Sequence, residues 1–215
     1  MVVAMVHELL NRGIYAVINK QLNLVYVGET QRNFLIRWIE HINNIHKHFE
    51  NIDRTKLFLH EQTKFIALKV MNHEIYSKDD FYMYEQEAYK FYVRKGWGIV
   101  SRHTYNAEGK YRDYEPESEK ILQRYRKAVN QISFVLATKN TQHHNGSVIL
   151  KNLYKQLEKK FGTDIERVRG KSVLSRLNKE ELEFMLLELY PRFYYKKMSL
   201  LRDEYQKKNL QLSLL

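Results

Sequence analysis

The alternation of apolar and polar residues predicts three β-strands in the first half of the chain. Residues 13–18 and 24–27 are short runs rich in β-forming side chains, and the polar residues 19–23 between them indicate a hairpin turn. Residues 65–70 form a third run of the same kind. We therefore expect a three-stranded antiparallel sheet whose first two strands are the hairpin.

Helical spacing of apolar residues predicts three helices that flank these strands. The first lies within residues 31–49, and the second covers residues 55–63. Ser77 and the acidic residues after it are typical of a helix start, and this third helix is expected to run to about Arg94. The first half is thus predicted to be a small α+β module.

The second half of the chain predicts helices alone. Their expected ranges are residues 117–138, 147–160, 178–189 and 191–208. Pro191 is expected to begin the last of them, because proline is favoured at the first position of a helix. Turn-forming residues near Pro116 indicate two domains, an α+β domain over residues 1–115 and a mostly helical region over residues 116–215.

The charge of the chain points to a polyanionic partner. The 215 residues carry a net charge of +11, with 36 Lys and Arg against 25 Asp and Glu. Residues 1–107 hold 14 basic and 11 acidic residues, and residues 108–215 hold 22 and 14. The second half is the more basic, which fits either a solvated helical surface or a surface that binds nucleic acid.

Three absences exclude further classes of protein. No cysteine is present, which excludes disulfides, cysteine-ligated zinc, iron–sulfur clusters and thiol catalysis. No apolar run approaches the ~20 residues of a membrane helix. The apolar start lacks the charged segment and cleavage site of a signal peptide. We therefore expect a cytoplasmic protein with no membrane partner.

Two tyrosines and two residues of the following helix form a first set of candidate functional residues. With a four-residue loop in the hairpin, Tyr15 and Tyr26 are expected to pair directly across the strands and to share one face of the sheet. Arg37 and His41 are four residues apart at one edge of the apolar stripe of their helix, so both can point into a shared cleft. Taken singly, these features also fit an ordinary tyrosine pair and a helix-surface pair.

Glu85 is unusual among the residues of its predicted helix. Its neighbours at helical spacing are mainly aromatic: Phe81, Tyr82, Ala88, Tyr89 and Tyr92. A carboxylate at the centre of such a face is costly to bury unless it is paired or bound to a metal. Glu87 is expected to be exposed, although the sequence leaves open which of the two acids is functional.

Together these residues resemble a GIY-YIG nuclease domain. The resemblance covers roughly residues 12–107 and is carried, in order, by Gly13-Ile14-Tyr15, Tyr26-Val27-Gly28, Arg37, Glu85 and Tyr105-Asn106. Val27 stands where the family motif has Ile, and residues 95–98 indicate a small insertion. His41, four residues after Arg37, is similar to the arrangement in restriction-type and homing-type members.

The resemblance implies hydrolysis of a phosphodiester bond with one divalent metal ion. Glu85 would be the only protein ligand of Mg²⁺ or Mn²⁺, and water and phosphate oxygens would complete the shell. Tyr15 would act as the general base on the attacking water. A nearby cation or the metal must then favour its phenolate form, because a free tyrosine has a pKa near 10.

The other residues carried over from the family would bind and orient the substrate. Arg37 would hold the scissile phosphate in a bidentate contact. Tyr26 and His41 would orient the water or phosphate, or relay the proton. Asn106 would hold the active-site loop and the helix that carries Glu85.

The second half adds basic segments with interleaved aromatic residues. These segments are residues 124–127, 151–160 and 193–197. Their Lys and Arg can neutralise phosphates while tyrosines pack or stack. Apolar residues of this region, such as Phe184 and Leu187, equally fit a helical core or a dimer face. DNA binding and dimerisation therefore both stay open for this region.

The sequence thus predicts a metal-dependent DNA endonuclease of the restriction or mobile-element type, acting on a specific sequence in double-stranded DNA. One alternative is a repair or recombination nuclease that cuts structured DNA, and another is a nucleic-acid-binding protein that does not cleave. Cutting both strands with one active site requires a homodimer, transient pairing or two sequential nicks.

Overall fold

The computed structural model of the protein describes residues 8–72, 74–101, 119–137, 145–163 and 173–213. Within these residues the fold is an α+β module followed by helices, as the sequence predicts. Asn106, one of the predicted site residues, lies outside the described residues.

The sheet has four strands in the order β3-β1-β2-β4. Strand β1 (Gly13–Asn19) is antiparallel to both β2 (Leu24–Thr30) and β3 (Lys64–Val70), which confirms the three predicted strands. The predicted sheet is nevertheless incomplete, because β4 (Gly98–Ile99) pairs with β2 in parallel. A two-residue strand that contains glycine has no alternating pattern by which the sequence could reveal it. The segment interpreted as an insertion leads directly into this strand.

The register of the hairpin differs from the prediction. The four-residue loop aligns Asn19 with Leu24, and this register places Tyr15 opposite Gly28 and Tyr26 opposite Val17. The direct pairing of Tyr15 with Tyr26 is therefore wrong by two residues. Both tyrosines still lie on one face, as diagonal neighbours, because directly opposed residues share a face and side chains alternate along each strand.

The first two helices begin at asparagine caps. Helix α1 (Phe34–Asn44) begins after Asn33, whose side chain accepts a hydrogen bond from the Ile36 N–H, and a 3₁₀ turn (Ile45–His48) follows it. Helix α2 (Ile52–Leu59) begins after Asn51, which accepts from the Arg54 N–H. The predicted second helix is thus placed three to four residues too late. A capping asparagine decides its start more strongly than apolar spacing does.

Helix α3 (Lys78–Arg94) confirms the predicted helix and its start. Ser77 and Asp80 form a capping box, in which each side chain accepts a hydrogen bond from the other residue's backbone N–H. Phe81 and Tyr92 of this helix are buried against the face of the sheet that carries Ile14 and Val27. The opposite face, which carries Tyr15 and Tyr26, packs on α1 and α2.

The remaining helices are α4 (Glu119–Ala137), α5 (Asn145–Phe161) and α6 (Lys179–Ser213), with a 3₁₀ turn (Val173–Ser175) before the last. The prediction of two helices divided at Pro191 is wrong, because α6 continues through it. Proline removes one hydrogen-bond donor from a helix. Leu189 and Phe193 on either side are almost fully buried, and their burial favours the continuous helix.

Contacts divide the chain into two units, one formed by Met1–Glu115 with Leu200–Leu215 and one by Pro116–Ser199. The end of α6 groups with the first unit, where Arg202 Nε donates a hydrogen bond to the Leu59 carbonyl at 2.7 Å. In the second unit, Leu186, Leu189 and Phe193 are buried, so part of its apolar surface forms a core.

In the part of the chain that the structure describes, no helix combines the length and apolar character needed to span a bilayer.

Candidate active site

Tyr15 lies at the centre of a buried polar cluster between β1 and α1. The residue has no exposed surface, and its hydroxyl lies 2.6 Å from His41 Nε2. Arg37 Nε donates a hydrogen bond to the same hydroxyl at 3.2 Å. One turn of α1 separates Arg37 from His41, so the helix presents both side chains to the strand, as their spacing predicts.

Gly28 makes room for the Tyr15 hydroxyl. A Cβ atom on this glycine would lie 2.6 Å from Tyr15 Oη and 3.0 Å from a ring carbon of Tyr26. Contacts this short do not occur between real Cβ atoms and their neighbours, so any larger residue would displace the tyrosines. The position of the Tyr15 ring over Gly28 therefore requires a glycine at the end of the second tripeptide.

Tyr26 forms the wall of the cluster. Its ring stacks on that of Tyr15, with centroids 6.2 Å apart, and meets the His41 ring edge-on at 5.1 Å. The guanidinium of Arg54, from α2, lies 5.3 Å from the centroid of the Tyr26 ring. No local sequence pattern predicts a role for Arg54, because its position beside Tyr26 depends on how α2 packs against the sheet.

Arg37 is held from two sides while part of it remains accessible. Its Nη1 donates to Glu40 at 3.3 Å, and its side chain is 35% exposed. Burial works against its charge, but Tyr15, Tyr26 and Glu40 together raise its pKa above the ordinary value. The guanidinium is therefore a fixed cation at the border between the buried tyrosine and the solvent.

His41 is uncharged in the folded protein. Burial lowers its pKa well below 6.5, and the charges of Arg37, Arg54 and His48 lower it further. In the tautomer of His41 that carries its proton on Nδ1, Nε2 accepts a hydrogen bond from the Tyr15 hydroxyl, whose oxygen accepts one from Arg37 Nε. The pair can thus accept a proton at the tyrosine only if the histidine takes up the phenolic proton.

The neutral state of His41 predicts a pH dependence of stability. In the unfolded chain the histidine gains a proton below about pH 6.5, whereas the folded protein does not, so the stabilisation present above this pH is lost as the pH falls. We expect the wild type to lose up to about 1.4 kcal/mol of unfolding free energy per pH unit below 6.5 relative to His41→Gln. Urea unfolding at pH 7.5, 6.5 and 5.5 in EDTA measures this, and parallel curves for the two proteins would contradict it.

Glu85 lies where β2 meets α3. The backbone of Glu29 and the charge of Arg37 favour its charged form and act to lower its pKa. Burial and the nearby Glu29 carboxylate nevertheless raise the pKa of Glu85 to about 7. Glu87 is exposed, as expected. Only Glu85, of these two acids, is part of the cluster.

Glu29 is a second acid of the site that sequence reasoning missed. Its Oε2 is buried without a hydrogen-bond partner among the described residues. Burial raises its pKa, against the effect of Arg37 and Arg32. The sequence does contain one signal for Glu29, which directly follows Tyr26-Val27-Gly28. Because side chains alternate along a strand, this position directs Glu29 to the α3 side of the sheet.

The structure brings five of the six predicted site residues into one region. Tyr15 contacts Tyr26, Arg37 and His41, and Tyr26 also contacts His41. Glu85 is related to them through the charge of Arg37, which acts on its pKa. The sixth, Asn106, lies outside the described residues. No group of three or more His, Cys, Asp or Glu that could hold a metal occurs in the described ranges.

Comparison with known proteins assigns this region to a family. Residues 11–92 match the family model of the GIY-YIG catalytic domain, and all five of these clustered residues fall within the match. No curated protein and no solved structure matches the chain significantly.

Proposed function

Since residues 11–92 match the GIY-YIG catalytic domain, we propose that the chain is a divalent-metal-dependent endonuclease that cuts double-stranded DNA at a specific sequence. A domain of this family implies a nuclease, which hydrolyses phosphodiester bonds. The observation that carries the finer proposal is the hydrogen-bonded cluster of Tyr15, His41 and Arg37 beside the Glu85 carboxylate.

Arg37 is proposed to bind the scissile phosphate. Its guanidinium is partly exposed, and it can donate two parallel hydrogen bonds to phosphate oxygens. Its Nε covers the Tyr15 hydroxyl, which has no access to solvent. When Arg37 turns toward a phosphate, the hydroxyl is uncovered on the side where the phosphate is held. Substrate binding thereby gives water access to the tyrosine.

Tyr15 and His41 are proposed to act together as the general base. Burial raises the pKa of Tyr15 well above 10, so the phenol cannot lose its proton to bulk solvent near neutral pH. The neutral His41 Nε2 at 2.6 Å can take the phenolic proton as Tyr15 accepts one from water. The imidazolium that forms on His41 favours the phenolate until the proton from water reaches it. Tyr26 confines the water to the side of the Tyr15 ring.

Glu85 fits the role of ligand to the divalent cation that the family implies. Its carboxylate supplies oxygen, the donor that Mg²⁺ and Mn²⁺ prefer, and few protein ligands suit a cation that keeps several waters. When bound, the cation would stabilise the charge that develops on the phosphate and on the leaving oxygen. The Glu29 backbone, in β2, favours the charged form of this carboxylate. Asn106 is proposed to hold the adjacent loop.

The basic second half is proposed to contact DNA outside the cleavage site. Lys151, Lys155 and Lys159 are exposed and follow one another at four-residue spacing, so they form a single basic stripe along α5. Such a stripe can follow a phosphate backbone. Other basic segments are partly structural, since Arg126 Nε donates to the Leu174 carbonyl and Lys196 Nζ to the Leu136 carbonyl. Dimerisation through this region stays a proposal.

Cleavage of a panel of DNA substrates tests the proposed function. Supercoiled plasmid, linear duplex, a flap and a four-way junction are incubated with the full chain in Mg²⁺, in Mn²⁺ and in EDTA. We expect discrete linear fragments from the plasmid in the presence of metal alone. Preferential cutting of the flap or junction would replace the proposal with a structure-directed repair nuclease. Salt-sensitive binding without scission on any substrate would leave a non-cleaving DNA-binding protein.

A further inference from the structure

Glu29 and Glu85 come from different elements but lie on the same side of the sheet. Glu29 is opposite Ile14 in the register of β1 and β2. Ile14 belongs to the buried cluster that packs under α3, the helix that carries Glu85. Because directly opposed residues of neighbouring strands share a face, the Glu29 side chain points to the α3 side.

The part of β2 beyond its pairing with β4 carries Glu29. Among the described residues, β4 pairs with β2 at Leu24 and Val25. Further along this edge, the Val27 N–H donates to Ser101 Oγ at 3.4 Å. The next N–H that points outward from this edge belongs to Glu29. The Glu29 backbone lowers the pKa of Glu85 and the Glu29 carboxylate raises it, so both parts of Glu29 act on this acid.

The Glu29 side chain has an unused oxygen at this place. Its Oε2 is buried and lacks a hydrogen-bond partner within the described residues. A buried carboxylate oxygen without a partner is costly, and two neighbouring carboxylates repel each other. Arg32 and Arg37 offset part of this charge, but both of them also contact Glu40. A divalent cation would satisfy the oxygen and remove the repulsion.

We propose that Glu29 is a second carboxylate ligand of the divalent cation, beside Glu85. This inference rests on the proposed function and goes beyond the single carboxylate ligand that the family resemblance implies. It assigns a role to a residue adjacent to the second tripeptide, and it explains why a half-buried strand position holds an acid whose Oε2 is buried.

Binding of Mn²⁺ to the full chain without DNA tests the inference independently of cleavage. Isothermal titration at pH 8 compares the wild type with Glu29→Gln, Glu85→Gln and Glu87→Gln, and water-proton relaxation counts the waters on the bound ion. We expect Glu29→Gln to weaken Mn²⁺ binding about 10- to 100-fold and to add one bound water. Glu87→Gln, on the same helix but exposed, should bind as the wild type does.

The outcomes separate this inference from the proposed function. If Glu29→Gln binds Mn²⁺ with unchanged affinity and water count while Glu85→Gln does not bind, the inference is overturned and the nuclease proposal stands. If Glu85→Gln also binds normally, the metal role of both acids falls. Absence of Mn²⁺ binding by the wild type at millimolar concentration overturns the inference as well.

Thermal unfolding of metal-free Glu29→Gln should show a melting temperature no lower than that of the wild type, because a repulsive charge is removed.

Discussion

Glu85→Gln should abolish DNA cleavage while leaving a protein that is at least as stable as the wild type. The carboxylate is the proposed anchor of the cation, whose stabilisation of developing charge is worth several kcal/mol. Its loss should lower the cleavage rate by about 10³-fold or more. Rates are measured on supercoiled plasmid with saturating Mg²⁺, and Mn²⁺ binding is measured in parallel.

The stability half of this prediction follows from the pKa of Glu85. The folded-state pKa of about 7 lies above the ordinary value for a glutamate, so ionised Glu85 destabilises the fold increasingly as the pH rises toward 7. Glutamine removes this cost, and metal-free Glu85→Gln should unfold at an equal or higher urea concentration than the wild type at pH 8. Glu87→Gln is the matched control and should retain full cleavage. An active Glu85→Gln with an inactive Glu87→Gln would move the metal ligand to Glu87.

Tyr15→Phe should also abolish cleavage, but with metal and DNA binding intact. Phenylalanine keeps the ring over Gly28 and the stacking on Tyr26, and it removes only the hydroxyl that contacts His41 and Arg37. Loss of a general base costs about 10²–10⁴-fold in rate. Single-turnover cleavage and the dissociation constant for DNA are the two measurements.

The control for Tyr15→Phe is a buried tyrosine on the other face of the sheet. Tyr92 of α3 packs against the face of the sheet opposite Tyr15, and Tyr92→Phe should cleave at the wild-type rate. Tyr15→Phe is expected to lose about 1–2 kcal/mol of unfolding free energy, because two hydrogen bonds to the hydroxyl disappear. Cleavage by Tyr15→Phe within a few-fold of the wild-type rate would show that the base is another group.

Features that depend on local sequence were predictable. The three longer strands follow from alternation, and the start of α3 follows from the capping pair of Ser77 and Asp80. The spacing of Arg37 and His41 places them on one side of α1. Glu85 stood out because a carboxylate interrupts an aromatic face. In each case the signal lies within a few residues of the feature.

Features that depend on distant residues were not predictable from the sequence. The parallel strand β4 is only two residues long, and it forms because the chain returns to β2 after α3. Glu29 has the sequence pattern of an ordinary strand residue, and its effect on Glu85 depends on the packing of α3. The guanidinium of Arg54 lies beside the Tyr26 ring because of the way α2 packs against the sheet. The continuous α6 reflects burial on both sides of Pro191, which outweighs the local preference of proline.

The most direct test of the central claim is an incubation of supercoiled plasmid with the full chain, in Mg²⁺ and in EDTA, alongside Glu85→Gln. The account predicts that only the wild type in Mg²⁺ converts the plasmid to discrete linear products. Cleavage that persists in EDTA or in Glu85→Gln would contradict the proposed metal site. The absence of any scission by a wild-type protein that still binds the plasmid would contradict the assignment as a DNA endonuclease.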